Sequence, residues 1–214
     1  FERARRKAAE QWGISSLLIM CFLRHLNQDS AFETLEAAVP YRDQIHAVGL
    51  DSSELGHPPR KFQEVFQKAA EQGYERVAHA GEEGPSAYIW EALDVLKVTR
   101  VDHGVRCLED PELINRLVSA QTPLTVCPLS NIRLCVYDRM QQHPILSMLD
   151  QGLNVSVNSD DPTYFGGYLM DNFAALEVVL GMTEAQARQL VSNSIRGSFV
   201  DTDRREAWLR EVKA

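Results

Sequence analysis

The 214-residue chain carries 30 acidic and 22 basic residues, a formal net charge of -8, and 44% of its residues are hydrophobic. This composition is typical of a globular protein with one sizeable core, and it excludes the strongly basic surface that binds nucleic-acid backbones. No stretch reaches the roughly 20 apolar residues of a membrane span, and residues 1–13 lack the apolar core of a signal peptide, so we expect a cytoplasmic protein.

Apolar runs rich in β-branched residues alternate along the chain with amphipathic stretches. Helices are predicted at 58–73 and at 110–121, where Asp110 is the N-cap. Two more helices are predicted after the last strand, at 183–199 and 202–212. Alternating strands and helices imply parallel strands joined by crossover helices. The predicted strands are 14–22, 45–51, 76–82, 100–105, 123–128 and 154–161.

Polar side chains follow four of the six predicted strands, and the glycine-rich phosphate loop of the dinucleotide-binding folds is absent. A site built from the carboxyl ends of many parallel strands is typical of a (β/α)8 barrel. We therefore predict an α/β fold, a TIM-type barrel in a single domain over 1–214, with about six of the eight β/α units and extra C-terminal helices. The polar residues are Asp51, His79 with Glu82, His103, and Asp160 with Asp161.

The segment "HAGE" places His79 at the end of a strand and Glu82 three residues later, across Gly81. Glycine permits a sharp turn, so both side chains could approach one point above the barrel. Imidazole is a good zinc ligand, and a nearby unligated carboxylate is suited to acid and base catalysis. The structural alternative is a hydrogen-bonded histidine followed by a solvated helix-terminal charge.

Two later segments, "DHG" and "NSDDP", extend this pattern. His103 ends the strand after His79, and a histidine can donate or accept a proton at neutral pH. Asp160 and Asp161 follow the last predicted strand, where alternation would send their side chains to opposite faces. An Asx-type turn before Pro162 is the structural alternative for this pair. Because all these residues stand at equivalent strand ends, a functional site is the favoured interpretation.

The segments "HAGE", "DHG", "CPLSN" and "NSDDP" occur in the order, and with approximately the spacing, of one family, and the match covers nearly the whole chain. The chain resembles the adenosine/adenine deaminase family, which comprises zinc-dependent aminohydrolases on a (β/α)8 barrel. The resemblance implies one zinc ion per site with His79 and Asp160 as ligands. It also implies Glu82 as proton donor to the purine ring, His103 as the residue that orients and helps to deprotonate the attacking water, and Asp161 as a substrate contact. A proton donor must be protonated when it acts, so we expect a raised pKa for Glu82.

Within this family, "GLDSSELGHPP" and "CPLSN" are similar to the adenine deaminase branch, whereas the adenosine enzymes generally carry "DLAGDE"-like and "CPWSS" segments. The resemblance therefore implies deamination of adenine to hypoxanthine and ammonia in purine salvage. Ser52, Ser53, Glu54 and Asn131 are predicted to line the substrate pocket, with Glu54 in space that a ribose would need. Ordinary loop hydrogen bonding remains the alternative for the two serines and Asn131.

One part of the family pattern is missing from the chain. The family takes two further zinc ligands from a His-x-His motif on its first strand, and no such pair occurs in these 214 residues. We therefore expect the sequence to start at the third strand, without the first two β/α units. A chain that truly began at Phe1 is expected to be inactive and poorly folded.

Other functions remain open at this point. They include an adenosine deaminase acting on the nucleoside, and a binuclear amidohydrolase, although strand 45–51 ends without the metal-bridging lysine of those barrels. An inactive barrel fragment that serves as a binding module is a further alternative, but it leaves Glu82 and His103 unexplained. The expected partner is a small-molecule purine, with no nucleic acid and no membrane, and homo-oligomerisation is left open.

Overall fold

The computed structural model describes residues 1–213, in which six parallel strands form one sheet. The strands lie side by side in chain order, as they do in a (β/α) barrel. Each overlaps a predicted strand, but the first begins four residues later than predicted, at Leu18, and the last four strands end earlier than predicted; β6 ends at Val157, and residues 158–161 form a loop. The strands are β1 (Leu18–Leu23), β2 (Ile45–Asp51), β3 (Glu75–Ala80), β4 (Arg100–His103), β5 (Leu124–Val126) and β6 (Val155–Val157).

Helices connect the strands, and further helices follow β6, as predicted. The Asp110 side chain accepts the N–H groups of Glu112 and Leu113, which confirms it as an N-cap. The predicted helix 58–73 begins as a 3-10 turn over Pro59–Phe62. The helices are α1 (Glu2–Trp12), α2 (Gln28–Ala38), α3 (Gln63–Glu71), α4 (Ser86–Asp94), α5 (Pro111–Ala120), α6 (Pro128–Arg133), α7 (Ile145–Asp150), α8 (Pro162–Phe165), α9 (Leu169–Leu180), α10 (Glu184–Gly197) and α11 (Thr202–Lys213).

The core lies between the sheet and the helices, and the two edge strands are covered to different extents. In β6 all three residues are buried, because α10 packs on this strand and the Asn193 side-chain amide donates to the Val155 carbonyl at 2.9 Å. In β1, residues 18–21 are only partly buried. Strands covered on both faces are usually continuously apolar, and β6 departs from this rule at Ser156, whose buried hydroxyl donates to the Leu124 carbonyl at 3.3 Å. Among the described helices, none has the length and apolar character required to cross a membrane.

Candidate active site

Strands β3 and β4 bring two predicted site residues together at the carboxyl edge of the sheet. The parallel register pairs His79 with Asp102 and Ala80 with His103, and the centroids of the two imidazole rings lie 4.9 Å apart. His103 has a φ of 64°, in the left-handed region that few residues other than glycine adopt. Asp160 has a φ of 56°. Left-handed backbone at His103, the last residue of β4, and at Asp160, in the loop after β6, is typical of functional sites.

The His79 ring is oriented by its Nδ1 atom. This nitrogen lies 3.1 Å from the Leu50 carbonyl oxygen and 3.1 Å from Asp51 Oδ1, so it donates its proton and leaves Nε2 unprotonated in the neutral ring. Burial lowers the pKa of His79, but the negative charges of Asp102 and Asp51 outweigh burial and raise the pKa overall. A histidine with one nitrogen bonded to a carbonyl and the other free has the arrangement of a metal ligand.

Glu82 lies in a tight loop after β3 and is buried. The loop turns at Gly81, which has a φ of 70° and no room for a Cβ, since that atom would lie 2.5 Å from Ile89 Cδ1. Burial raises the pKa of Glu82 to about 7, helped by Asp160 and Glu54 and opposed by His79. The raised pKa confirms the prediction for this residue.

His103 stands beside Glu82 in the same buried region. Its Nδ1 is 3.2 Å from Glu82 Oε1, and its Nε2 is 4.0 Å from Asp160 Oδ2. Burial, and then the neighbouring His79, lower the pKa of His103 to about 3. His103 is therefore neutral at physiological pH. If Nδ1 donates to Glu82, Nε2 is free to accept a hydrogen bond.

Asp160 and Asp161 have different surroundings, as predicted, although the cause is the loop and not strand alternation. Asp160 Oδ2 accepts the Ser130 hydroxyl at 2.7 Å, beside His103. Asp161 Oδ1 accepts the N–H groups of Thr163 and Tyr164, both at 3.1 Å, and so caps α8. The turn considered as the structural alternative is therefore present at Asp161, and its contact with substrate stays a prediction.

Glu54 supports the loop that carries Glu82. Its buried carboxylate accepts the backbone N–H groups of Glu82 at 3.0 Å, Glu83 at 2.8 Å and Gly84. Its other oxygen lies 3.5 Å from Nη1 of Arg24, a fully buried arginine. The sequence did not predict this contact between Glu54 and the "HAGE" loop. The prediction that Glu54 occupies space needed by a ribose stays a prediction.

Arg24 connects three strand-end segments, and sequence reasoning missed it. Its Nε donates to the His57 carbonyl at 2.9 Å and its Nη1 donates to the His79 carbonyl at 2.7 Å. The guanidinium thus holds the backbone at His79 while it pairs with Glu54. A single basic residue after an apolar strand offers no sequence pattern that distinguishes it from a surface arginine.

The remaining predicted pocket residues lie in two environments. Ser52 and Ser53 are exposed, and the Ser52 hydroxyl lies 2.7 Å from His25 Nδ1. Asn131 is fully buried, and its Nδ2 donates to Glu82 Oε1 at 2.6 Å. His143, which the sequence did not single out, contacts Asn131 Oδ1 from the opposite side at 3.1 Å.

The site offers several atoms suited to a metal ion. His103, Cys127 and Asp160 each place one candidate ligand atom within 4.8 Å of the others. Of these three residues, Cys127 is already engaged, because its thiol donates to the Thr125 carbonyl oxygen at 3.7 Å. The free Nε2 of His79 and the carboxylate of Asp160 are chemically better suited to zinc, so the residues fit the predicted ion.

Comparison with known proteins gives consistent results. The family model described as Adenosine deaminase matches residues 1–214. The adenine deaminase of Acinetobacter baylyi is 56% identical over 211 residues, covering 99% of this chain and 64% of that protein. A crystal structure of adenine deaminase from Arthrobacter aurescens has a TM-score of 0.97 at 51% identity, covering 99% of this chain and 65% of that one.

A second solved structure is an amidohydrolase from Burkhoderia ambifaria with bound Zn. It has a TM-score of 0.91 at 30% identity, covering 98% of this chain and 59% of that one. The sheet and helices of this chain therefore have the fold of the matched part of these proteins. The chain spans less than two thirds of the length of each relative described.

Proposed function

Because the chain belongs to the adenosine deaminase family, we propose that the protein containing it hydrolyses adenine to hypoxanthine and ammonia in purine salvage. The observation that carries this proposal is the pairing of a buried carboxyl with a pKa of about 7, Glu82, and a neutral imidazole 3.2 Å away, His103. The names of relatives such as the 56% identical Acinetobacter baylyi protein support adenine as the substrate.

Glu82 supplies the acid. A pKa of about 7 leaves about half of the Glu82 population protonated at neutral pH, close to the optimum for general acid catalysis. Transfer of this proton to N1 of the purine allows the ring to accept the electron pair when water adds at C6. The nearly dry surroundings of Glu82 maintain the neutral form before substrate arrives.

His103 orients the attacking water. With Nδ1 bonded to Glu82, its Nε2 faces the space next to Asp160 and can accept a hydrogen bond from water. Because the pKa of His103 is about 3, a protonated His103 would be short-lived, which favours the orienting role. Asp161 and the loop with Ser52, Ser53 and Glu54 complete the proposed purine pocket.

His79 and Asp160 would hold the zinc ion. The geometry of His79 supports this assignment, because the Leu50 carbonyl occupies Nδ1 and leaves Nε2 available. Zinc bound at such a site lowers the pKa of a coordinated water toward about 7 and so supplies a nucleophile at neutral pH. Asp160 is additionally held by the Ser130 hydroxyl, which orients one of its oxygens.

Ammonia release and metal content test the proposal together. The protein that contains residues 1–214 should release ammonia from adenine with a higher kcat/KM than from adenosine, and should contain one zinc ion per site. Two metal ions per site would support the binuclear hydrolase instead. Zinc binding without turnover of either purine would contradict the proposed reaction, and equal efficiency with adenosine would contradict the preference for the free base.

A further inference from the structure

We infer that His143 is a positioning residue that fixes the Asn131 amide, so that Glu82 delivers its proton from Oε2. The inference rests on the proposed function, because it concerns the acid of that reaction. It is carried by a chain of three buried hydrogen bonds running from the backbone at Ile145 to Glu82.

The His143 ring is protonated on Nε2. Its Nδ1 accepts the backbone N–H of Ile145 at 3.3 Å, so that nitrogen carries no proton. The neutral ring must then be protonated on Nε2, which lies 3.1 Å from Asn131 Oδ1 and donates to it. His143 is only 4% exposed, and burial lowers its pKa to about 4, so the ring stays neutral at physiological pH.

The protonated Nε2 of His143 fixes the orientation of the Asn131 amide. With Oδ1 accepting from His143, the amide nitrogen is directed at Glu82 Oε1, 2.6 Å away. A flipped amide would place its oxygen against the Glu82 carboxyl and its N–H groups against the Nε2–H of His143. Both contacts would be lost in the fully buried position of Asn131, where unpaired polar groups are costly.

The contacts of Glu82 Oε1 place the proton of the neutral acid on the other oxygen. Oε1 accepts from Asn131 and also lies 3.2 Å from His103 Nδ1, so the proton of neutral Glu82 is best placed on Oε2. In the reaction the Oε2–H bond breaks and an N1–H bond forms on the purine, while the electron pair remains on the carboxylate. The Asn131 N–H then stabilises the new negative charge through Oε1.

Paired substitutions at His143 test this arrangement. His143→Gln keeps an N–H donor at nearly the position of Nε2, whereas His143→Leu removes the donor at similar volume. In the zinc-loaded protein, His143→Leu should lower kcat on adenine roughly 10- to 100-fold with little change in KM, the effect of a misplaced catalytic group. His143→Gln should recover most of that loss, and His46→Leu, on β2 beside Phe199 and away from these residues, is the control.

A spectroscopic measurement tests the same arrangement without turnover. The ring 15N shifts of His143 should report the neutral Nε2–H tautomer between pH 6 and 8. An Nδ1–H tautomer or a charged ring would overturn the inference. So would equal kcat values for His143→Gln and His143→Leu when both variants melt at the wild-type temperature. Wild-type protein that fails to deaminate adenine would instead refute the proposed function, while the 15N result would still decide how His143 is hydrogen bonded.

Discussion

The loops after β3 and β6 both carry acidic residues of the candidate site, but they are built in opposite ways. After β3, three consecutive N–H groups converge on Glu54, and Glu82 is enclosed beside His103. After β6, Asp160 and Asp161 are exposed; Asp160 accepts the Ser130 hydroxyl, and Asp161 accepts two backbone N–H groups. The enclosed carboxyl is suited to hold a proton, and the open carboxylates are suited to bind ligands. Environment therefore separates the roles of chemically similar groups.

Replacing the acid of the enclosed loop should give the largest effect. Glu82→Gln keeps the shape and the contact with Asn131 but cannot protonate the purine, so kcat should fall roughly 100- to 10,000-fold. Ammonia release from adenine measures the loss. The matched control is Glu83→Gln at the next position, which should stay close to wild-type activity. Similar losses in both variants would show that the loop tolerates no substitution and that Glu82 has no special role.

Removing the support of the enclosed loop should affect stability. Glu54→Ala leaves Arg24 as an unpaired buried charge and frees three N–H groups, so the free energy of unfolding should fall by about 3–5 kcal/mol. Urea unfolding of wild type and variant measures the difference. Replacing Arg24 and Glu54 together by apolar residues should recover part of the loss. A loss below about 1 kcal/mol, typical of a surface pair, would contradict the assigned support.

Substitutions in the open loop should separate metal binding from substrate binding. Asp160→Ala should reduce the zinc content, because it removes a proposed ligand. Asp161→Ala should leave zinc bound and weaken kcat/KM by about tenfold, the magnitude of one lost hydrogen bond to a charged group. Metal analysis and steady-state kinetics measure the two effects. Equal loss of metal from both variants would contradict the proposal that Asp160 binds the metal and Asp161 binds the substrate.

Changing the pH should give the smallest effect and tests the enclosed loop without mutation. The reaction requires protonated Glu82, and with a pKa of about 7 the protonated fraction falls about fivefold between pH 7 and pH 8. The rate of adenine deamination should fall by that factor. Since folding raises this pKa, the protonated group's contribution to stability is complete below its unfolded pKa and is lost as pH rises through 7. Glu82→Gln should be free of that loss in unfolding measurements between about pH 4.5 and pH 7.

Local patterns were sufficient to predict the sheet and the grouping of the candidate site residues near the carboxyl ends of its strands. The β-branched runs located all six strands, and His79, Glu82, His103 and Asp160 follow strand ends that meet at one edge. The remaining features depend on contacts between distant residues. Glu54 lies 28 residues before Glu82, whose N–H it accepts, and no hydrophobic periodicity or sequence motif connects the two residues. The cap formed by Asp161 was visible as a turn, but the early end of β6 was not.

The sequence also could not predict which single polar residues are buried. His143 and Arg24 have no neighbours along the chain that distinguish them from surface residues, and both are buried. Their importance arises from which atoms surround them, such as the Ile145 N–H beside His143 Nδ1. Side-chain packing of this kind is set by tertiary structure, so a pattern of residue types cannot supply it.

The chain-order arrangement of the sheet also has a consequence for folding during synthesis. Every strand from β2 onward pairs with the strand that precedes it in the chain, so each pairing spans a single crossover connection and none requires a strand that is synthesised later. Glu82 and its supporting Glu54 both precede β4, whereas Asp160 follows β6. His79 and Glu82 are thus synthesised before Asp160, so the pair proposed to hold zinc is complete only after β6 has been made.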